Sequence, residues 1–288
     1  MNNWKHLTVN RFDELGKTSN TLHHAAQFLA YAGIHFVEAK ADDSHTSAQW
    51  VPEKNWLAGQ VIEAGSKRIR VILDYPEFVL RIAGEDMTPL HTLVLDGLTK
   101  QEVLNQLTGQ FHSLGMDTSG FNDKLHYQIP RHEVDNGAAF SAPPKQLLNE
   151  LAHYRTNGHL VMTRFAKRFQ TASPLLVWPH HFDEGSYIPL QFEGGEAVGS
   201  VSIGLAVADA YYPYPYFYVT AWKKEGINYE NLPGIKLPGK WHTHEWTGQV
   251  LEGNSLVSME KEKQENTANR FLEKALKNAV KLIGWTNK

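Results

Sequence analysis

Two short polar segments of this 288-residue chain combine imidazoles, a carboxylate and indoles. The first, residues 178–183, has the sequence Trp-Pro-His-His-Phe-Asp, and the second, residues 241–246, has the sequence Trp-His-Thr-His-Glu-Trp. Side chains of these types bind metal ions, transfer protons or hold a polar ligand by hydrogen bonds. The two segments therefore indicate where a functional site lies, and they leave three kinds of function open.

A metal site is the first possibility. Alternate side chains of a strand point to one face, so extended segments would place His181 beside Asp183 and His242 beside His244. If the segments were neighbouring strands, these four side chains would suit a divalent metal such as zinc, iron or manganese. The protein would then be a metal-dependent hydrolase-like enzyme, with Asp183 and Glu245 as candidate catalytic residues. Polar strand ends that bond to the backbone explain the same residues without a metal, so enzyme activity stays open.

Ligand binding is the second possibility, because aromatic residues are dense between the two segments. Residues 211–218 contain five tyrosines and one phenylalanine. Such rings line pockets for sugars, nucleobases and aromatic ligands, and they also pack simply in cores. We predict a pocket between the two halves of the chain for a small polar or aromatic molecule, lined by His23, Gln27, Trp50, His181, Asp183, Tyr216, His242 and His244. In the third possibility, a structural or protein-interaction role, the aromatic residues are core residues.

The composition restricts the class of protein. The formal net charge is -3 and no basic stripe is present, which argues against binding to nucleic acid. The chain has no cysteine, so disulfides, thiolate metal sites and a cysteine nucleophile are excluded. The first residues lack the apolar region of a signal peptide, and no apolar run reaches the roughly 20 residues of a membrane span. We expect a soluble, cytoplasmic protein without membrane partners, and we leave its oligomeric state open.

The N-terminal half is predicted to contain a helix, a β-meander and a second helix. Residues 20–31 have a cap and an apolar stripe typical of a helix that stops at Gly33. Strand-forming runs separated by turn residues fill positions 55–95. Thr99 would cap the next helix, which ends at Gly115. Strands followed by a helix favour an α+β fold over alternating βαβ units.

The C-terminal half repeats this general plan. Asn157-Gly158 interrupts a predicted helix over 145–170, so two helices or one kinked helix are both possible. A final helix over 259–282 has an apolar stripe at i, i+3 and i+4. Candidate strands lie at 174–178, 186–192, 198–207, 216–222 and 242–251. We predict an α+β fold of two β-meander-plus-helix halves packed into one compact unit. Residues 1–142 form the N-terminal half and residues 143–288 the C-terminal half, either as two domains or as one integrated domain.

Several spaced motifs resemble those of an uncharacterised, mainly bacterial family that is known only as a domain of unknown function. These motifs are Thr21-Leu22-His23-x-x-x-Gln27, Trp50-Val51-Pro52, Ser173-Pro174, the 178–183 segment, Ser200-x-x-x-Gly204, Pro215–Tyr218 and the Gln264-to-Phe271 spacing. The resemblance covers roughly residues 20–283 and implies one family unit, but it supplies no activity, cofactor or catalytic residue. It also implies that Phe182 and Asp183 are more constant than the two histidines before them, which favours Asp183 as a functional residue.

Overall fold

The structure is a computed structural model that describes residues 3–230, 232–235 and 238–286. The chain forms two compact units, and each is discontinuous in sequence. The N-terminal unit comprises Asp13–Ala152 and Leu176–Phe182, and the C-terminal unit comprises Met1–Phe12, His153–Leu175 and Asp183–Lys288. Each unit therefore takes in residues from both predicted halves. Both units combine helix with antiparallel sheet, which confirms the predicted α+β class.

Helices and strands follow each other along the chain in a fixed order. The helices are α1 (Phe12–Phe36), α2 (Lys100–Ser113), α3 (Lys145–Ala166) and α4 (Lys261–Leu282). The strands are β1 (Gln49–Val51), β2 (Trp56–Ala58), β3 (Ile62–Ala64), β4 (Lys67–Asp74), β5 (Val79–Gly84), β6 (Pro89–Val94), β7 (Leu176–Val177), β8 (Glu184–Glu193), β9 (Glu196–Ala206), β10 (Tyr216–Lys223), β11 (Lys240–His242) and β12 (Gly248–Glu252). Within the described residues, no helix combines the length and apolar character that a membrane crossing requires.

The N-terminal unit contains an antiparallel sheet in the order β1-β2-β4-β5-β6, with β3 paired to the start of β4. Strand β4 begins with exposed basic residues and ends in a buried run, so its second half supplies the core of this sheet. Ala48 and Val177 exchange two backbone hydrogen bonds of 3.0 and 2.7 Å. This bridge fixes residues 176–182, and with them most of the first polar segment, to the N-terminal unit.

Helix α1 is longer than predicted at both ends. It begins at Phe12, well before Asn20, and continues through Gly33 to Phe36. Most of its residues from the second turn to Gly33 are buried, as in a helix surrounded by core. A Cβ atom at Gly33 would collide with the carbonyl oxygen of His45. The glycine therefore permits a close approach of backbone to the helix, and the predicted stop at this position is wrong.

Helix α2 has the predicted boundaries. The Thr99 side chain accepts a hydrogen bond from the Glu102 N–H, and the Glu102 carboxylate accepts one from the Thr99 N–H. This reciprocal capping box satisfies two backbone donors at the start of the helix. Gly115 follows the last turn with a φ of 79°, a conformation that glycine adopts without strain.

Helix α3 is one continuous helix, so the predicted alternative of two separate helices at Asn157-Gly158 is wrong. The Asn157 side chain accepts from the Lys5 N–H at 2.7 Å and donates to the Lys5 carbonyl at 2.8 Å. A Cβ atom at Gly158 would lie 2.6 Å from Cδ2 of Leu205. These two residues therefore make packing contacts inside the C-terminal unit, and the pair that resembles a turn signal lies within a regular helix.

The C-terminal unit contains an antiparallel sheet in the order β11-β12-β10-β9-β8. Its two helical segments pack on one face: α3 contacts Leu205 through Gly158, and the Gln249 side chain donates to the Ala275 carbonyl of α4 at 3.0 Å. Because paired residues of neighbouring strands share a face, Phe217 points the same way as Leu205.

The opposite face of this sheet carries neither α3 nor α4, and we call it the helix-free face. One cross-strand row on it consists of Gly185, Gly204, Tyr218 and Val250. Further along the same strands, Tyr187 and Trp222 point to this face with exposed fractions of 44% and 49%. The helix-free face therefore presents aromatic side chains that are accessible in part.

Candidate functional site

Residues 178–182 form a turn that is anchored by two side chains of helix α1. The Pro179 carbonyl accepts hydrogen bonds from His23 Nε2 at 2.6 Å and from Gln27 Nε2 at 3.0 Å. The hydroxyl of Tyr127 donates to Gln27 Oε1 at 2.9 Å, which fixes the orientation of the amide. All of these residues lie in the N-terminal unit. Two residues predicted to bind a ligand, His23 and Gln27, are therefore engaged in holding this turn.

The turn is not the extended strand that the metal hypothesis requires. The Phe182 N–H donates to the Trp178 carbonyl at 2.7 Å, and Phe182 has a φ of 57°. Its ring stacks on His23 at a centroid distance of 4.8 Å with an interplanar angle of 3°. His181 lies on the turn and is exposed. Because the backbone is tightly turned here, the argument that His181 and Asp183 share a strand face is wrong.

Trp50 is a core residue of the N-terminal unit. It is 3% exposed, and its ring packs edge-on against Tyr75 with centroids 4.9 Å apart. The structure thus places this indole among other buried side chains, where the sequence suggested a pocket wall.

In the C-terminal unit, Asp183 is held by a tyrosine that lies flat on the sheet. The Tyr218 hydroxyl donates a short hydrogen bond to Asp183 Oδ2. A Cβ atom at Gly204 would collide with the Tyr218 ring, and one at Gly185 would lie 3.1 Å from its hydroxyl oxygen. The two glycines therefore leave the space through which the phenol reaches the carboxylate. Asp183 Oδ1 is buried and accepts no hydrogen bond from the described part of the protein.

A second tyrosine repeats this arrangement beside the first. Tyr216 donates to Asp209 Oδ2 at 2.5 Å, while Asp209 Oδ1 accepts from the backbone N–H groups of Tyr211 and Tyr212 at 2.8 and 3.0 Å. The rings of Tyr216 and Tyr218 lie 6.3 Å apart. Ala206, Tyr212, Tyr216 and Val250 also form a small buried apolar cluster, so part of the aromatic run is core, as one reading of the sequence expects.

His242 joins this network through both ring nitrogens. Its Nε2 donates to the His244 carbonyl at 2.7 Å, and its Nδ1 lies 3.0 Å from the Tyr212 hydroxyl. The indole of Trp246 stacks on the imidazole at 4.1 Å. We refer to Asp183, Asp209, Tyr212, Tyr216, Tyr218 and His242 as the tyrosine–carboxylate cluster. Three of the predicted site residues, Asp183, Tyr216 and His242, therefore meet in one network.

The predicted strand over 242–251 is interrupted. Strand β11 ends at His242, β12 begins at Gly248, and Glu245 in the connecting turn has a φ of 65°. His244 projects into solvent with 82% of its side chain exposed, and Glu245 accepts from the Tyr211 hydroxyl at 2.8 Å. His242 and His244 thus do not lie on one strand face. Throughout the described ranges, no three His, Asp or Glu side chains are arranged to hold a metal ion.

The electrostatic environment of the cluster is negative. Burial, and then the charges of Asp209 and Asp183, raise the pKa of Tyr216 above its usual value. Burial and the Asp183 charge raise the pKa of Tyr218 in the same direction. The hydrogen bond to the Glu245 carboxylate raises the pKa of Tyr211. The phenols therefore stay protonated and act as hydrogen-bond donors to carboxylates.

A separate cleft of about 580 Å³ lies in the N-terminal unit. Its wall includes His132, whose Nδ1 accepts from the Val134 N–H at 3.2 Å and whose Nε2 lies 3.2 Å from the Thr21 hydroxyl. The cleft contains none of the residues predicted for a site, and its lining consists of Lys17, Asn20, Thr21, Arg131, His132, Glu133 and Asn136.

Sequence reasoning missed Tyr218, Asp209 and Tyr212 as members of the cluster. Two of them belong to the aromatic run that the sequence highlights, and the spacing of Tyr216 and Tyr218 on one strand predicts that they share a face. Asp209 has no such signal, because its role depends on the turn that precedes β10. No protein-family model, curated protein or solved structure matches this chain, so the family resemblance stays a prediction.

Proposed function

We propose that the protein binds a small polar ligand at the tyrosine–carboxylate cluster of the C-terminal unit. The observation that carries this proposal is the state of Asp183. One carboxylate oxygen accepts from Tyr218, whereas the other, Oδ1, is buried and receives no donor from the described residues. A buried polar atom without a partner costs about 1–3 kcal/mol, and more when it is charged. A ligand that donates a hydrogen bond there would recover this free energy.

The surroundings of Asp183 also suit a small molecule. Tyrosine and tryptophan rings with polar tips are common walls of ligand sites, and Tyr218 lies 6.3 Å from Trp246 at an interplanar angle of 71°. Tyr187 and Trp222 continue the aromatic surface along the same face of the sheet. These features support a binding role.

The metal-dependent hydrolase is not supported by a specific observation. Both nitrogens of His242 take part in hydrogen bonds, and His244 points into solvent from a turn. A metal would have to break the hydrogen bonds that hold His242 in place.

A fragment screen by saturation-transfer NMR tests the proposal. Wild-type protein is compared with Asp183→Asn, which preserves the shape of the side chain, and with Glu196→Gln as a control for an exposed carboxylate of the same unit. We expect polar fragments that bind the wild type and Glu196→Gln with similar affinity and bind Asp183→Asn at least tenfold more weakly. Equal binding to all three proteins, or no binding by a chemically diverse polar set, contradicts the proposal.

A further inference from the structure

We infer that the ligand of the tyrosine–carboxylate cluster is an organic cation with N–H donors, such as a primary ammonium or a guanidinium group. This inference rests on the proposed function and adds the chemical class of the ligand. The first observation is the direction of the hydrogen bonds. Tyr218 donates to Asp183, Tyr216 donates to Asp209, and Tyr211 donates to Glu245.

The remaining hydrogen-bond donors of the cluster also bond to acceptors within the protein. The Tyr212 hydroxyl shares a hydrogen bond with His242 Nδ1, and His242 Nε2 donates to a backbone carbonyl. The cluster therefore offers acceptors to a ligand, while its own hydrogens are already engaged. An ammonium or guanidinium group has only donors, so it matches such a site in every hydrogen bond. Each hydroxyl of a neutral polyol has two acceptor lone pairs for one donor, and the cluster supplies no hydrogen for those acceptors.

The second observation is the balance of charge. The ion pairs formed within the described part of the chain provide no Lys or Arg partner for Asp183, Asp209 or Glu245, and only His244 approaches Glu245, at 3.8 Å. Lys240 is nearby but already pairs with Glu252. Asp209 is exposed and Glu245 has 63% of its side chain exposed, so both remain accessible to an incoming cation. Three carboxylates that have no Lys or Arg partner among the described residues favour positive charge at this surface.

The third observation concerns the aromatic rings. Cations bind to the faces of Tyr and Trp rings within about 6 Å of the centroid. The chain already places one cation in this way, since Lys240 Nζ lies 5.0 Å from the centroid of the Tyr212 ring. A phenol that donates to a carboxylate has a more electron-rich ring, which strengthens this attraction at Tyr216 and Tyr218. The rings and the carboxylates thus select the same sign of charge.

The experiment compares matched probes by isothermal titration calorimetry and by ¹H–¹³C spectra of labelled tyrosine rings. Propylammonium and guanidinium carry N–H donors and charge, 1-propanol is the neutral counterpart of propylammonium, tetramethylammonium has charge without donors, and glucose is a neutral polyol. We expect propylammonium to bind at least tenfold more tightly than 1-propanol, to outcompete tetramethylammonium, and to shift the Tyr218 resonances.

Two variants locate the binding. Asp183→Asn should weaken propylammonium at least tenfold, and Glu245→Gln, at an exposed position, should weaken it about two- to fivefold by loss of a nearby charge. Binding of 1-propanol or glucose as tightly as propylammonium overturns the cation inference and leaves the proposed function intact. If other polar fragments shift the Tyr218 resonances and the cationic probes do not, the cation inference is likewise overturned and the proposed function stays intact. Failure of every probe and fragment overturns both.

Discussion

Removing the Tyr218 hydroxyl tests the central contact of the cluster. The Tyr218→Phe variant keeps the ring that lies against Gly204 and deletes only the donor to Asp183 Oδ2. Because Asp183 Oδ1 already lacks a partner among the described residues, the carboxylate would lose its last donor from the protein. Loss of this donor would therefore leave a partly buried carboxylate without a hydrogen bond from the described residues.

The structure predicts a ranking of three tyrosine variants. Tyr218→Phe should reduce the free energy of unfolding by about 3 kcal/mol, the upper part of the range for a buried charged acceptor that loses its donor. Tyr216→Phe should cost about 1 kcal/mol, since Asp209 is exposed and keeps two backbone donors. Tyr229→Phe is the control: its hydroxyl donates to the Ala221 carbonyl at 3.2 Å, and we expect a loss of about 0.5 kcal/mol.

Urea denaturation followed by circular dichroism measures these differences, provided that the slope against urea is equal in all variants. A double-mutant cycle with Asp183→Asn isolates the pair and should give a coupling free energy of at least about 1 kcal/mol. The reasoning is refuted if Tyr218→Phe costs no more than Tyr229→Phe, or if the cycle gives no coupling.

Three further predictions concern the packing and titration of other parts of the fold. Burial lowers the pKa of His24 and His132 below 6.5, so the unfolded chain binds more protons than the folded chain as the pH falls. The free energy of unfolding should therefore decrease as the pH drops through and below 6.5. His132→Asn keeps an N-cap acceptor and should flatten this pH dependence in urea titrations at several pH values. Gln27→Leu removes one of the two donors to the turn at 178–182 and should cost about 1–2 kcal/mol, with faster limited proteolysis there; an unchanged cleavage rate would contradict this anchor. Gly158→Ala should lower the free energy of unfolding by about 1–3 kcal/mol in urea denaturation, because its Cβ would collide with Leu205. Gly109→Ala, where a Cβ meets open space, is the control and should be neutral or stabilising. Equal effects of the two variants would refute the packing argument.

Local sequence signals predicted the elements whose ends are set by local chemistry. Helix α2 has its capping box at Thr99 and its terminal glycine at Gly115, and both act within one turn of the helix. Gly33 and Gly158 misled the prediction because glycine has two uses. In a sequence it resembles a helix stop, but at these positions it admits His45 or Leu205, residues distant in the chain. Such contacts depend on the tertiary fold and leave no local signal.

In the site, too, the local sequence predicted some residues, whereas contacts between distant segments were missed. The sequence pointed to Asp183, Tyr216 and His242, which do meet in one network. It could not identify Tyr218 as the partner of Asp183, because that contact requires the antiparallel register of β8, β9 and β10. The extended strands on which the metal hypothesis depends are absent for a local reason, since the positive φ values of Phe182 and Glu245 turn both segments away from extended geometry.

Gly185 and Gly204, which lie beneath Tyr218, indicate whether the cluster serves stability or binding. Glycine in a strand interior weakens a sheet, on a scale of preferences that spans about 1 kcal/mol per position. Gly185 and Gly204 are neighbours across β8 and β9, and together they admit the phenol that reaches Asp183, whose buried Oδ1 has no hydrogen-bond donor among the described residues. A bulkier apolar pair in place of the two glycines would stabilise the sheet more. It would also displace the Tyr218 ring, and the fold would then have no use for a carboxylate at position 183. Gly185, Gly204 and the partly buried Asp183 each lower the stability of the fold. The proposed binding of a cationic ligand at Asp183 would offset this cost.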